Sequence, residues 1–91
     1  MTKIDKLLAR VRNNPKAVSF RDIQALLAAF GFVLKRSRGS HHVFSGMVGG
    51  RRTRIVIPYR QPHIKAAYVK EALDVIDEIK DNEGSATHVE E

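Results

Sequence analysis

The sequence predicts an α+β fold in which helices cover one face of a three-stranded antiparallel sheet and the other face stays open. Apolar residues recur at helical spacing toward both ends of the chain, and between these segments the spacing changes to the alternation that is typical of strands. A chain of 91 residues is long enough for one small domain. Because it contains no cysteine, this domain is stabilised by packing and not by disulfides.

Two helices are predicted before the strands. The first covers residues 2–12 with Thr2 as its N-cap. The second begins at Ser19, which with Asp22 resembles a capping box, and ends at Gly31. The two apolar stripes, which follow i, i+3, i+4 and i+7 spacing, are Ile4, Leu7, Leu8 and Val11, and then Ile23, Leu26, Leu27 and Phe30.

Three strands follow, and residues typical of turns separate them. The predicted segments are a strand over 32–35, a turn over 36–39, a strand over 40–45, a loose glycine-containing connection over 46–50, and a β-branched strand over 53–57 that Pro58 terminates. These segments form a three-stranded meander.

A last helix is predicted over about 65–80, where Val69, Leu73 and Ile76 form an apolar stripe. The acidic residues 81–91 are expected to form a disordered tail. The predicted organisation is therefore an additional N-terminal helix within 1–15, a domain over 16–80 and this tail.

Charge is distributed unevenly along the chain. Residues 1–70 contain fifteen Lys or Arg against two acids, a net charge of +13, and residues 71–91 contain one Lys against eight acids, a net charge of −7. The total is +6. A domain this basic has the charge expected of a protein that binds nucleic acid, although charge alone is also compatible with simple solubility.

The sequence also predicts the compartment. The first residues carry charges where a signal peptide needs a continuous apolar region, and the longest uncharged apolar stretch, 25–34, is about half the length that a membrane span requires. The absence of cysteine suits a reducing environment. We expect the protein to be cytoplasmic.

The adjacent histidines His41 and His42 are the best candidates for chemistry. Neighbours on a strand point to opposite faces, so the pair cannot easily bind one metal ion together. His42 shares its face with Phe44, which favours the core, and His41 shares its face with Ser45. We therefore expect a hydrogen-bonded, structural His42 that faces the helices and an exposed His41.

Basic residues surround His41 in the predicted sheet. A cationic cluster can hold RNA phosphates, and a histidine can take a proton from a ribose 2′-hydroxyl or give one to the leaving oxygen. This combination predicts a ribonuclease site that needs no metal or other cofactor. A solvated basic sheet face without catalysis remains an open alternative. The cluster comprises Lys35, Arg36, Arg38, Arg51, Arg52 and Arg54.

Several short motifs together resemble the HicA family of bacterial toxins. They are Phe30-Gly31-Phe32, then Arg38-Gly39-Ser40-His41-His42-Val43-Phe44, then Arg54-Ile55-Val56-Ile57-Pro58, and Lys65. The resemblance extends from Ser19 to Leu73. It does not cover the N-terminal helix or the acidic tail.

The resemblance implies both a fold and an activity. HicA toxins have a fold like that of double-stranded-RNA-binding domains, cleave mRNA without a metal ion, and pair with HicB-type antitoxins. Carried over to this chain, the catalytic residue is His41, Gly39 shapes the turn and Ser40 supports the site. The residues then expected to bind RNA are Lys35, Arg36, Arg38, Arg54 and Lys65.

Two other functions remain possible from the sequence. The first is an RNA-binding module without catalysis, since this fold is best known for shape-based recognition of duplex RNA. The second is an interaction protein whose basic surface meets an acidic partner. RNA degradation by the pure protein separates the first from a nuclease, and negligible RNA affinity identifies the second.

Overall fold

A computed structural model describes the backbone of residues 2–89 and the side chains of residues 2–82. The elements are α1 (Lys3–Asn13), α2 (Phe20–Ala29), β1 (Val33–Arg38), β2 (His41–Val48), β3 (Arg51–Pro58) and α3 (Ala66–Val89). The predicted α+β class and the order of elements are confirmed. Within the described range, no helix is long and apolar enough to cross a membrane.

Side chains cap the first two helices as predicted. Thr2 accepts a hydrogen bond from the Asp5 amide at 3.1 Å, and the Asp5 carboxylate accepts one from the Thr2 amide at 3.3 Å. These bonds lower the pKa of Asp5 from its ordinary value, because they favour its charged form. Ser19 accepts from the Asp22 amide at 3.1 Å, while the Asp22 carboxylate accepts from Arg10 of α1 at 3.2 Å.

The three strands form an antiparallel sheet in the order β1-β2-β3, with shorter turns than the sequence predicted. β1 continues through Arg38, so the first turn consists of Gly39 and Ser40 and not of residues 36–39. The second turn consists of residues 49 and 50, and β2 includes Gly46. Gly46 reflects close packing and not a turn, because a Cβ there would lie 2.8 Å from the Phe32 ring.

The hydrophobic core lies between the helices and one face of the sheet. α1 contributes Leu8 and Val11, although it lies outside the segment that carries the resemblance. An ion pair between Arg12 of α1 and Asp77 of α3 links the two helices at the surface. The buried apolar residues are Leu8, Val11, Val18, Ile23, Leu26, Leu27, Phe32, Phe44, Val48, Ile55, Ile57, Ile64, Val69, Ala72, Leu73 and Ile76.

The last helix is longer than the sequence predicted. It continues past Lys80 to Val89, whereas the sequence predicted an end near Lys80. The disordered acidic tail over 81–91 stays a prediction. This part of the sequence contains no proline that would end the helix, although most of its residues have low helix propensity and the apolar stripe has already ended. Residues 90 and 91 lie outside the described part of the chain.

Candidate functional site

The sheet face opposite the helices combines cationic and apolar side chains. Residues that pair across antiparallel strands point to the same face, so the register assigns each residue to a face. His41 pairs with Arg38 on one side and with Pro58 on the other. We call this surface the open face. Its members are Val33, Arg36, Arg38, His41, Val43, Ser45, Met47, Arg52, Arg54, Val56 and Pro58.

A β-bulge at Lys35 determines which residues of β1 reach the open face. In a regular strand Leu34, Arg36 and Arg38 would share one face. Here the register shifts between Leu34 and Arg36, so Lys35 is an extra residue. Leu34 therefore lies on the helix-covered face beside Phe44, and the two arginines pair with open-face residues of β2.

Four cationic side chains surround a shallow cavity of about 290 Å³ on the open face, which we call the cationic cavity. Its floor includes Ser45, a buried residue whose hydroxyl accepts a hydrogen bond from Arg52 at 3.5 Å. The two ion pairs found among the described residues involve Arg10 and Arg12, on other elements. The charges at the cavity are therefore available to an anionic ligand. The lining residues are Lys35, Arg36, Val43, Ser45, Arg52 and Arg54.

His41 and His42 have the different environments that the strand alternation predicts. His42 is half-buried: its ring centroid lies 4.7 Å from that of Phe20 of α2, and its Nδ1 donates to the Ser40 carbonyl at 3.0 Å. His41 is exposed at the start of β2. The inward orientation of His42 and the exposure of His41 are confirmed, and a catalytic role for His41 stays a prediction.

The turn before His41 is firmly held. Gly39 has a φ of +58°, the left-handed conformation that glycine adopts without strain. The Ser40 carbonyl accepts hydrogen bonds from the Tyr59 amide at 2.6 Å and from His42. The backbone that carries His41 is therefore fixed to the end of β3.

The predicted RNA-binding residues do not all lie together. Lys35, Arg36 and Arg54 line the cationic cavity, and Arg38 lies opposite His41. Lys65 instead lines another cavity, at the start of α3, together with Lys16, Arg60 and His63. Its assignment to RNA binding comes from the resemblance and stays a prediction.

The site prediction missed an aromatic cavity beside the turn. Phe20 and Tyr59 line it, with ring centroids 5.2 Å apart. These residues are far apart in the sequence, and neither belongs to a recognisable motif, so no sequence signal indicated that they meet. Among the described residues, no group of three or more His, Asp or Glu side chains is placed to hold a metal ion.

The fold and the open face together define a small, basic α+β domain with an exposed histidine beside a cationic surface. Comparison with known families matches residues 20–77 to the HicA toxin of bacterial toxin-antitoxin systems. This match covers well over half of the chain, and the chain belongs to the HicA toxin family. No curated protein and no solved structure matches the chain.

The match confirms the resemblance that the sequence motifs indicated. The matched range includes the turn before His41, the adjacent pair His41 and His42, and all three strands, and it leaves out α1. Membership in a toxin-antitoxin family implies an antitoxin partner.

Proposed function

We propose that this toxin is a metal-independent endoribonuclease that cleaves mRNA, with His41 as a catalytic acid/base. The observation that carries the proposal is an exposed histidine that directly follows a hydrogen-bonded turn and lies on the same sheet face as the cationic cavity. Such a surface binds the phosphate backbone, and the histidine then lies where a proton transfer is needed.

The reaction is a transesterification within the RNA. A base takes the proton of a ribose 2′-hydroxyl, the 2′-oxygen bonds to the adjacent phosphorus, and the bond from phosphorus to the 5′-oxygen breaks. The leaving oxygen takes a proton, and the products are a 2′,3′-cyclic phosphate and a 5′-hydroxyl. His41 performs one of the two proton transfers.

Cationic side chains stabilise the charge that develops on the phosphate. Arg38 lies opposite His41, and Arg36 is two pairs further along the sheet, opposite Val43 on the same face. Guanidinium groups are cationic and donate paired hydrogen bonds to phosphate oxygens. Gly39 and Ser40 position His41 through the turn and have no proton to transfer in this scheme.

The test is RNA cleavage by the purified protein in EDTA, with analysis of the product ends. We expect cleavage without added metal and ends that carry a 2′,3′-cyclic or 3′-phosphate. His41→Ala should lower the rate by a factor of about 10² to 10⁴. His88→Ala, a matched histidine change near the end of α3, should retain the rate.

Three results contradict the proposal. Activity that disappears in EDTA and returns with magnesium contradicts metal independence. Ends that carry a 3′-hydroxyl contradict attack by the 2′-oxygen. RNA that is bound tightly but never cleaved identifies the alternative, an RNA-binding module without catalysis.

The antitoxin is proposed to be an acidic, HicB-like protein that covers the open face in the cytoplasm. Opposite charge speeds and orients such an association, and a cover over His41 blocks the site. Chemical modification of His41 by diethyl pyrocarbonate should be rapid in the free toxin and slow in the complex. Equal rates in both contradict simple occlusion.

A further inference from the structure

We propose that the cavity between α2 and the segment after β3 binds one nucleobase of the RNA strand beside the scissile phosphate. The inference rests on the proposed function, because it concerns the same RNA. The cavity encloses about 350 Å³, a volume within the usual range of small-ligand sites. We call it the aromatic cavity.

An aromatic surface is available in this cavity for stacking. Tyr59 is 42% exposed, and its ring packs against Phe20, with centroids 5.2 Å apart. Phe20 in turn rests on His42, so the pair is supported from the core side. Unpaired RNA bases stack on such exposed aromatic rings, whatever their sequence.

Polar groups around the rings fit the rest of a nucleotide. Gln61 donates a hydrogen bond to the Tyr59 hydroxyl at 2.6 Å, and Gln24 of α2 lines the same cavity. Side-chain amides offer both a donor and an acceptor, which matches the edges of bases. Arg21 and Arg60 also line the cavity and can hold the adjoining phosphates.

Backbone hydrogen bonds and strand pairing connect the aromatic cavity to the segment that carries His41. Tyr59 donates its amide hydrogen to the Ser40 carbonyl, and the preceding residue Pro58 pairs with His41. Seen from the aromatic cavity, the cationic cavity lies beyond the pair of His41 and Pro58, in the direction of Arg36. A single strand that crosses the end of the sheet thus places a phosphate at His41 while a neighbouring base enters the aromatic cavity.

The test measures binding and not cleavage. Fluorescence anisotropy with the full-length His41→Ala protein compares a short single-stranded RNA with a matched RNA that contains abasic positions. The parent protein should bind the intact RNA more tightly. Tyr59→Leu should weaken that binding by about 5-fold to 100-fold, the loss of one stacked base, and should leave the affinity for abasic RNA unchanged.

Tyr59→Phe is the matched control, because it keeps the ring and loses only the hydroxyl. It should retain most of the preference for intact RNA. If Tyr59 has only a structural role, Tyr59→Leu should weaken the binding of intact and abasic RNA equally. That result overturns the proposal. Equal binding of intact and abasic RNA by the parent protein also overturns it.

The outcomes separate this inference from the proposed nuclease activity. If the base-dependent effect of Tyr59→Leu appears but the unmodified protein cleaves no RNA, the base site stands and the catalytic proposal is wrong. If the unmodified protein cleaves RNA but the binding does not depend on the base, the catalytic proposal stands and the base site is wrong. No RNA affinity at low salt overturns both.

Discussion

The two faces of one sheet differ in nearly every physical property. On the helix-covered face, Phe44 is 1% exposed and Ile57 is fully buried. On the open face, Val56 is 37% and Met47 is 54% exposed, and arginines stand between them. The same strands therefore contribute stability through one face and, in our proposal, activity through the other. Substitutions on the covered face should destabilise the domain. Substitutions on the open face should alter RNA binding or cleavage without unfolding the domain.

The largest difference is expected from removing one side chain on each face. Phe44→Ala should lower the free energy of unfolding by about 3 to 5 kcal/mol, because it leaves a cavity in the core. Val56→Ala should cost less than about 1 kcal/mol. Urea denaturation of both variants checks this, and similar costs would show that the open face is not free in solution.

The adjacent histidines test the comparison at two residues of the same type. His42→Ala removes a hydrogen bond to Ser40 and a contact with Phe20, so we expect a loss of about 1 to 3 kcal/mol in unfolding free energy. His41→Ala should change it by less than about 0.5 kcal/mol. Thermal melts of the two variants decide the matter. A stable, inactive His42→Ala beside an unfolded His41→Ala would contradict the assignment of faces.

Salt dependence tests the charge of the open face. Each cationic side chain that contacts a phosphate adds up to about one unit to the slope of log affinity against log salt. Arg36→Gln, Arg38→Gln and Arg54→Gln should each reduce this slope in filter binding. Arg10→Gln is the matched control on α1, where the arginine is already paired with Asp22, and it should leave the slope unchanged. An RNA affinity that does not vary with salt concentration contradicts the proposal that these cationic side chains bind RNA phosphates.

The smallest effect is expected at the ion pair between α1 and α3. The hydrogen bond from Arg12 holds the pKa of Asp77 below its ordinary value. A lowered folded-state pKa stabilises the fold above the unfolded-state value, about 3.9, and this contribution is lost as pH falls through the folded-state pKa. Because the pair is partly exposed, Asp77→Asn should cost less than about 1 kcal/mol at neutral pH.

Thermal melts at neutral and acid pH check this prediction. The difference between the unmodified protein and Asp77→Asn should vanish in strong acid, and RNA cleavage should be unaffected. Asp74→Asn, an exposed change on the same helix, is the control. A difference that persists in strong acid would mean that the variant acts through packing and not through charge.

Much of the fold followed from local patterns in the sequence. The order of elements, the caps at Thr2 and Ser19, and the environments of His41 and His42 could be predicted, because helical spacing, capping chemistry and strand alternation act over a few residues. The motif around the histidines also indicated the family that the match over 20–77 confirms. The errors concerned boundaries: the two turns and the end of α3.

The tertiary structure decided which side chains meet. Alternation along β1 would place Leu34, Arg36 and Arg38 on one face, and only the pairing with β2 shows the extra residue at Lys35 that separates the leucine from the arginines. The contact between Phe20 and Tyr59 depends likewise on how α2 packs beside the end of β3. Both features arise from contacts between distant parts of the chain, and so no local pattern in the sequence contains them.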